Sequence, residues 1–187
     1  MKSLSVRFIS SNPYKREEFV ELLKARGYAI MTSELKVYEI QTDNIDMLVE
    51  DKAIKAFEKL GRPLVIEHTG LSISKIRGLP GGLTQMFWDT LEAERFAELF
   101  GSSPGNEAVA RTTVAYCDGR SLKKFTGEIT GRVVEKPRGD RHFQWDTVFV
   151  PDGETLTFAE MGLRKNEISM RRQAIYRFVD WLEEQEK

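Results

Sequence analysis

Pro63-Leu64-Val65-Ile66-Glu67-His68-Thr69-Gly70-Leu71 is the stretch on which the reading of the whole chain turns. Leu64, Val65 and Ile66 form a short apolar run of the kind that makes a buried strand, and Gly70 reads as the turn that follows it. An acid and an imidazole at the end of such a strand stand where chemistry is often placed. His68 could be a general base, a metal ligand, or the mark of a base that has been lost. In a strand, residues 67 and 68 point to opposite faces, so one cannot take the other's place.

On either side of this stretch, helices and strands alternate along the chain. Residues 4–10 alternate apolar and polar and read as a first strand, not as a signal peptide. Asn12-Pro13 gives an N-cap with proline at the first helical position. The helix that follows carries Phe19, Leu22 and Leu23 on one face and stops near Gly27. Residues 28–38 read as a second strand and roughly 46–60 as a second helix closed by Gly61. Beyond the central strand, residues 84–101 are helical, in one or two pieces. Residues 108–117 and 121–134 form an antiparallel pair around Asp118-Gly119. The segments 147–151 and 155–161 read as short strands, and one last helix, from Asn166, aligns Ile168, Ile175, Phe178, Val179 and Leu182. This pattern describes a single α/β domain over residues 1–187 with a mixed sheet.

Bulk composition narrows the function classes. The 187 residues, 41% of them hydrophobic, suffice for one packed core and are tight for two. A formal net charge of −1 excludes a general nucleic-acid binder, which needs a basic excess. The single cysteine, Cys117, excludes a disulfide within the chain and fits a reducing, cytoplasmic setting. It reads as a small buried apolar residue. No stretch approaches the ~20 apolar residues of a membrane span.

Four segments carry chemistry-bearing residues. Ser10-Ser11-Asn12-Pro13-Tyr14-Lys15 is a strand end turning into a helix whose first turn holds a lysine, an arrangement suited to phosphate. Without the Gly-rich GxxxxGK[ST] pattern, it fits an ordinary N-cap with a surface lysine better. Glu39 could supply a carboxylate to Mg²⁺ or simply face solvent. In Phe143-Gln144-Trp145-Asp146, aromatic rings could stack on a base and Asp146 could accept from ring N–H groups, or the rings could be core. Lys165 and Arg171 could contact phosphate or a carbonyl oxygen, or line a solvated basic face. His142, the other histidine, lies close by in a loop-like stretch.

Taken in order, these segments resemble the Ham1-type inosine triphosphate pyrophosphatase family over nearly the full length. Ser10-Ser11-Asn12-Pro13-Tyr14-Lys15-Arg16-Glu17-Glu18 is similar to the family's T-G-N-x-x-K-x-x-E. The stretch Glu67-His68-Thr69-Gly70-Leu71, with Gly78-Leu79-Pro80-Gly81, is similar to [ED]-D-[ST]-x-L…G-x-P-G. Residues 143–161 and 165–174 are similar to F-G-[YW]-D-P…A-E-M and K-N-x-x-S-H-R-x-x-A. The resemblance implies a Ham1/Maf (ITPase-like) fold, a long mixed central sheet with two lobes around a nucleotide cleft. It implies conversion of ITP, dITP and XTP to monophosphates with release of pyrophosphate, using Mg²⁺, usually in a homodimer. Carried over, it implies that Ser10, Ser11, Asn12 and Lys15 line the triphosphate, and that Lys52 and Lys165 face the nucleotide. Glu39 would hold Mg²⁺, Thr69 would lie at the site, and Phe143, Trp145, Asp146 and Arg171 would form the base pocket. A donor at the O6 oxygen would reject an amino-bearing base.

Several positions depart from that pattern. His68 stands where the family has an aspartate that binds metal and accepts the proton of the attacking water. Imidazole is a poor ligand for Mg²⁺, so metal binding is expected to weaken, although a histidine can act as a base near neutral pH. Met170 replaces the histidine beside Arg171, Gln144 replaces a glycine, Thr147 a proline, and Gln85 stands where eukaryotic relatives often carry lysine. Binding residues kept while the water-activating position changes lead to the main expectation: a sensor. It would bind deaminated purine triphosphates with weak or absent hydrolysis and report to a separate effector protein, in a stress or anti-phage setting. The alternative is an active Mg²⁺-dependent pyrophosphatase in which His68 is the base. A third reading is a structural protein that keeps the fold and has lost the ligand.

Overall fold

The computed structural model describes residues 1–141 and 143–185; His142 lies outside the described residues. The elements are β1 (Lys2–Ile9), α1 (Pro13–Ala25), β2 (Tyr28–Ser33), α2 (Ile45–Leu60), β3 (Leu64–Ile73), β4 (Pro80–Gly81), α3 (Thr84–Phe100), β5 (Glu107–Cys117), β6 (Leu122–Val133), β7 (Phe149–Pro151), α4 (Phe158–Met161), α5 (Lys165–Ile168) and α6 (Met170–Gln185). Among the described residues the strands form one mixed sheet in the order β2-β1-β3-β5-β6-β7, with β4 beside β3. β1 runs parallel to both β2 and β3, and the remaining pairs are antiparallel. No helix among the described residues is long and apolar enough to cross a membrane.

β3 is the axis of the molecule. Val65 packs with Phe8, Phe19 and Phe178 under α1 and α6. Leu64 and Ile66 pack with Val49, Ala53 and Ala56 of α2 on the opposite face. Further along, Leu71 and Ile73 enter the core of a second lobe with Phe96, Trp145, Phe149 and Phe158. One strand thus joins both lobes, and the cleft between them opens over its middle.

The structure departs from the expected elements at four places. β3 does not stop at a glycine turn: it runs ten residues and pairs with β5 throughout. Gly70 lies inside it because β4 approaches so closely that a Cβ there would overlap the carbonyl oxygen of Gly81. β2 ends at Ser33, short of residue 38, because Ser33 pairs with Ile9, the last residue of β1, and no neighbour remains beyond it. Residues 158–161 are helical, with Thr157 and Glu160 forming a reciprocal capping box. The final helix is two, since Ser169 is extended (φ −61°, ψ 151°) and its Oγ accepts the Arg172 N–H. α3 is helical on both sides of Glu92, whose φ of 53° kinks it.

Candidate active site

Asn12 caps α1, its Oδ1 accepting the Lys15 N–H at 3.3 Å, while Ser10 Oγ accepts the Asn12 N–H at 3.2 Å. The positive end of the helix dipole is thereby fixed at the wall of a cavity of about 600 Å³. Ser10, Ser11, Asn12, Lys15, Glu39, Lys52, His68, Thr69, Phe143, Gln144 and Trp145 all line it. Tyr14, Lys36, Thr84 and Gln85 line it too. Lys36 carried no motif and lies in the irregular chain after β2, so sequence alone gave no reason to select it. A smaller hollow adjoins the cavity across Glu39 and Gln85, and Gln144 Nε2 donates to Gln85 Oε1 between the lobes.

Asp146, Lys165 and Arg171 do not line the cavity but form a buried charged layer behind Phe143. Lys165 Nζ lies 2.9 Å from Asp146 Oδ2 and 4.4 Å from the Phe143 ring centre. Arg171 is fully buried and donates through Nε to Glu67 Oε2 at 2.7 Å and through Nη1 to Glu18. Lys15 Nζ reaches the other Glu67 oxygen at 2.9 Å. Met170 is fully buried in the core of the second lobe, among Leu71, Trp145 and Phe149, and does not reach the cavity.

Adjacent β3 residues serve different networks, as alternation requires. Glu67 faces Lys15 and Arg171. Burial alone would raise its carboxyl, but Arg171 and then Lys15 more than offset that and hold it below the usual carboxylate range. His68 faces Glu39, with Nδ1 3.5 Å from Oε2. Burial lowers the imidazole against the pull of Glu39, and the Lys15 and Lys52 ammonium groups lower it further, so it is neutral at pH 7. Glu39 is held ionised despite its own burial, because His68 Nδ1–H and Lys52 donate to it. Burial pushes the Asp146 carboxyl up, against Lys165.

The residues present do not fit a Mg²⁺ held by side chains. Lys52 Nζ occupies Glu39 Oε1 at 2.6 Å, and the neighbouring position is an imidazole, a poor ligand for this hard ion. Among the described residues no three His, Cys, Asp or Glu side chains are grouped to hold a metal. The arrangement does offer Lys36 and a helix start to a polyanion, beside Lys15 and Lys52, which are each paired with a glutamate, and a neutral imidazole to a nearby proton.

Known proteins are similar to this chain in architecture and in sequence. A family profile, the Ham1 family, matches residues 6–181, and the chain belongs to that family. A dITP/XTP pyrophosphatase of Methanopyrus kandleri is 35% identical over 95% of this chain and 96% of its own length. An inosine triphosphate pyrophosphatase of Yarrowia lipolytica is 34% identical over 97% of each. The solved structure of the Staphylococcus aureus Ham1 protein superposes with a TM-score of 0.77 at 20% identity, covering 98% of this chain and all of the other. At that identity the likeness concerns the fold.

Proposed function

We propose that the chain binds deaminated purine nucleoside triphosphates, dITP, ITP or XTP, in the 600 Å³ cavity and hydrolyses them to monophosphate and pyrophosphate. One observation carries the reading: Lys15, Lys36 and Lys52 converge with the start of α1 on the same cavity wall as a buried, neutral His68. The lysines and the helix end neutralise the triphosphate. Mg²⁺ enters as the counter-ion of the triphosphate, part of the substrate. His68 takes a proton from water, and the oxygen adds to a phosphorus of the α–β anhydride. The anhydride bond breaks, pyrophosphate leaves, and the proton stays on His68 until solvent removes it. The half-buried Phe143 ring flanks the base on the other lobe, backed by Trp145, whose ring is packed in the core. Two relatives named for dITP, XTP or inosine triphosphate, each matched over 95% or more of this chain, support the substrate class.

A second reading rests on the engagement of Glu39 by Lys52 and His68, which leaves few oxygen ligands for an ion. With binding intact and turnover slow, the protein would hold its nucleotide and signal to a separate effector. Incubation with dITP and Mg²⁺, followed by chromatography for dIMP, separates the two. Steady dIMP release by the wild type supports hydrolysis. No release by the wild type, with recovery in His68→Asp, favours the sensor. Co-purification that finds only a free homodimer counts against an effector.

A further inference from the structure

We propose that Glu39 is a positioning residue for His68: its Oε2 accepts the Nδ1–H and so fixes the tautomer in which Nε2 is the unprotonated nitrogen. The inference rests on the hydrolytic reading of this site and assigns Glu39 a role other than metal ligand.

Each of the imidazole nitrogens has a distinct surrounding. Nδ1 lies 3.5 Å from Glu39 Oε2. Nε2 is buried and has no hydrogen-bond partner among the described residues. The opposite tautomer would bury an unsatisfied Nε2–H and set the Nδ1 lone pair against a carboxylate oxygen, and both cost free energy. A neutral imidazole therefore carries its proton on Nδ1 and leaves Nε2 as the basic nitrogen. At 3.5 Å the contact is at the long limit of a hydrogen bond; such contacts in catalytic groups shorten when substrate fills the site.

Glu39 is itself fixed. Lys52 Nζ binds its Oε1 at 2.6 Å and also donates to the Glu67 backbone carbonyl at 3.4 Å. The lysine pins the carboxylate to β3, and the carboxylate orients the imidazole one residue further along. This base–orienter arrangement follows the logic of a catalytic triad, in which a carboxylate sets which imidazole nitrogen is free.

The test is the tautomer of His68, read in the protein alone by two-bond ¹H–¹⁵N correlation after ¹⁵N-histidine labelling. The chain has two histidines, so the His68 signal is the one lost in His68→Asp. The expected result is Nδ1–H in the wild type and Nε2–H in Glu39→Ala. Glu39→Ala is also expected to slow dIMP release ~10²–10⁴-fold, the range for loss of general-base function. In Glu39→Gln the amide oxygen can still accept, so the wild-type tautomer and part of the rate should return. An Nε2–H form in the wild type would overturn the proposal, even if neither Glu39 variant folds. So would a tautomer unchanged in Glu39→Ala, whatever the rate. Calorimetry with dITP is separate: absence of binding by the wild type would sink the hydrolytic reading without altering the tautomer result.

Discussion

Nε of Arg171 lies 2.7 Å from Oε2 of Glu67, joining the first turn of α6 to the middle of β3 with no part of the guanidinium reaching solvent. Glu18 of α1 holds the other end of the same group. Three elements thus meet on one buried cation, directly behind the cavity wall formed by Phe143 and Lys15. Removing one partner of such a network leaves buried charges uncompensated, which costs about 3–5 kcal/mol. Arg171→Met should therefore lower the free energy of unfolding in urea by about that amount, since Glu18 and Glu67 lose their shared cation. A loss below about 1 kcal/mol would mean that water enters to solvate both carboxylates.

The same pair sets a pH dependence. The folded Glu67 carboxyl is held below its ordinary value of 4.5. A depressed carboxyl contributes stability that is present above the unfolded value and is lost as pH falls through the folded one. Asp146 has the opposite sign, because its carboxyl is raised and acidification relieves it. The melting temperature of the wild type should fall as pH drops below about 4.5, and Glu67→Gln should show a shallower fall over the same range. Parallel curves for the two proteins would remove Glu67 as the titrating group.

Where local signals agree with tertiary demands, the fold is legible in the sequence. Asn12-Pro13 predicts the start of α1, and the structure places its N-cap there. The alternation of β5 and β6 around Asp118-Gly119 gives their pairing. Reading fails where a partner elsewhere decides. Gly70 looks like a turn and is a point of close approach, because only the position of β4 reveals the need for a missing side chain. Arg171 looks like a base-reading donor, yet two carboxylates distant in sequence, Glu18 and Glu67, surround it. Lys36 has no periodic or motif context and meets the cavity only because the chain leaves the sheet edge after Ser33.

Lys36 is exposed at the cavity wall. Facing the phosphates, it adds one screened charge, worth about 0.2–1 kcal/mol. Lys36→Ala should weaken dITP binding by up to about five-fold and leave dIMP binding unchanged, with little effect on stability. Titration calorimetry with both nucleotides at two salt concentrations reads this directly. Equal losses for dITP and dIMP would place Lys36 away from the β- and γ-phosphates.

The misread segment 155–161 offers a separate test of the fold. Thr157 Oγ1 accepts the Glu160 N–H at 3.2 Å and donates to the Arg138 carbonyl at 3.1 Å. Glu160 Oε2 accepts the Thr157 N–H at 2.8 Å in return. This one fully buried hydroxyl starts α4 and ties it to the chain leading into residues 143–147, so its loss breaks both a cap and a tertiary bond. Thr157→Val keeps the shape and removes the hydroxyl, at a cost of about 1–2 kcal/mol for the cap and about 1 kcal/mol for the second bond. Urea unfolding should show a loss of roughly 2–3 kcal/mol. Glu160→Gln retains an acceptor at N3 and should lose well under half as much. Equal losses in the two variants would mean that the charge of Glu160, and not the Thr157 hydroxyl, holds the segment.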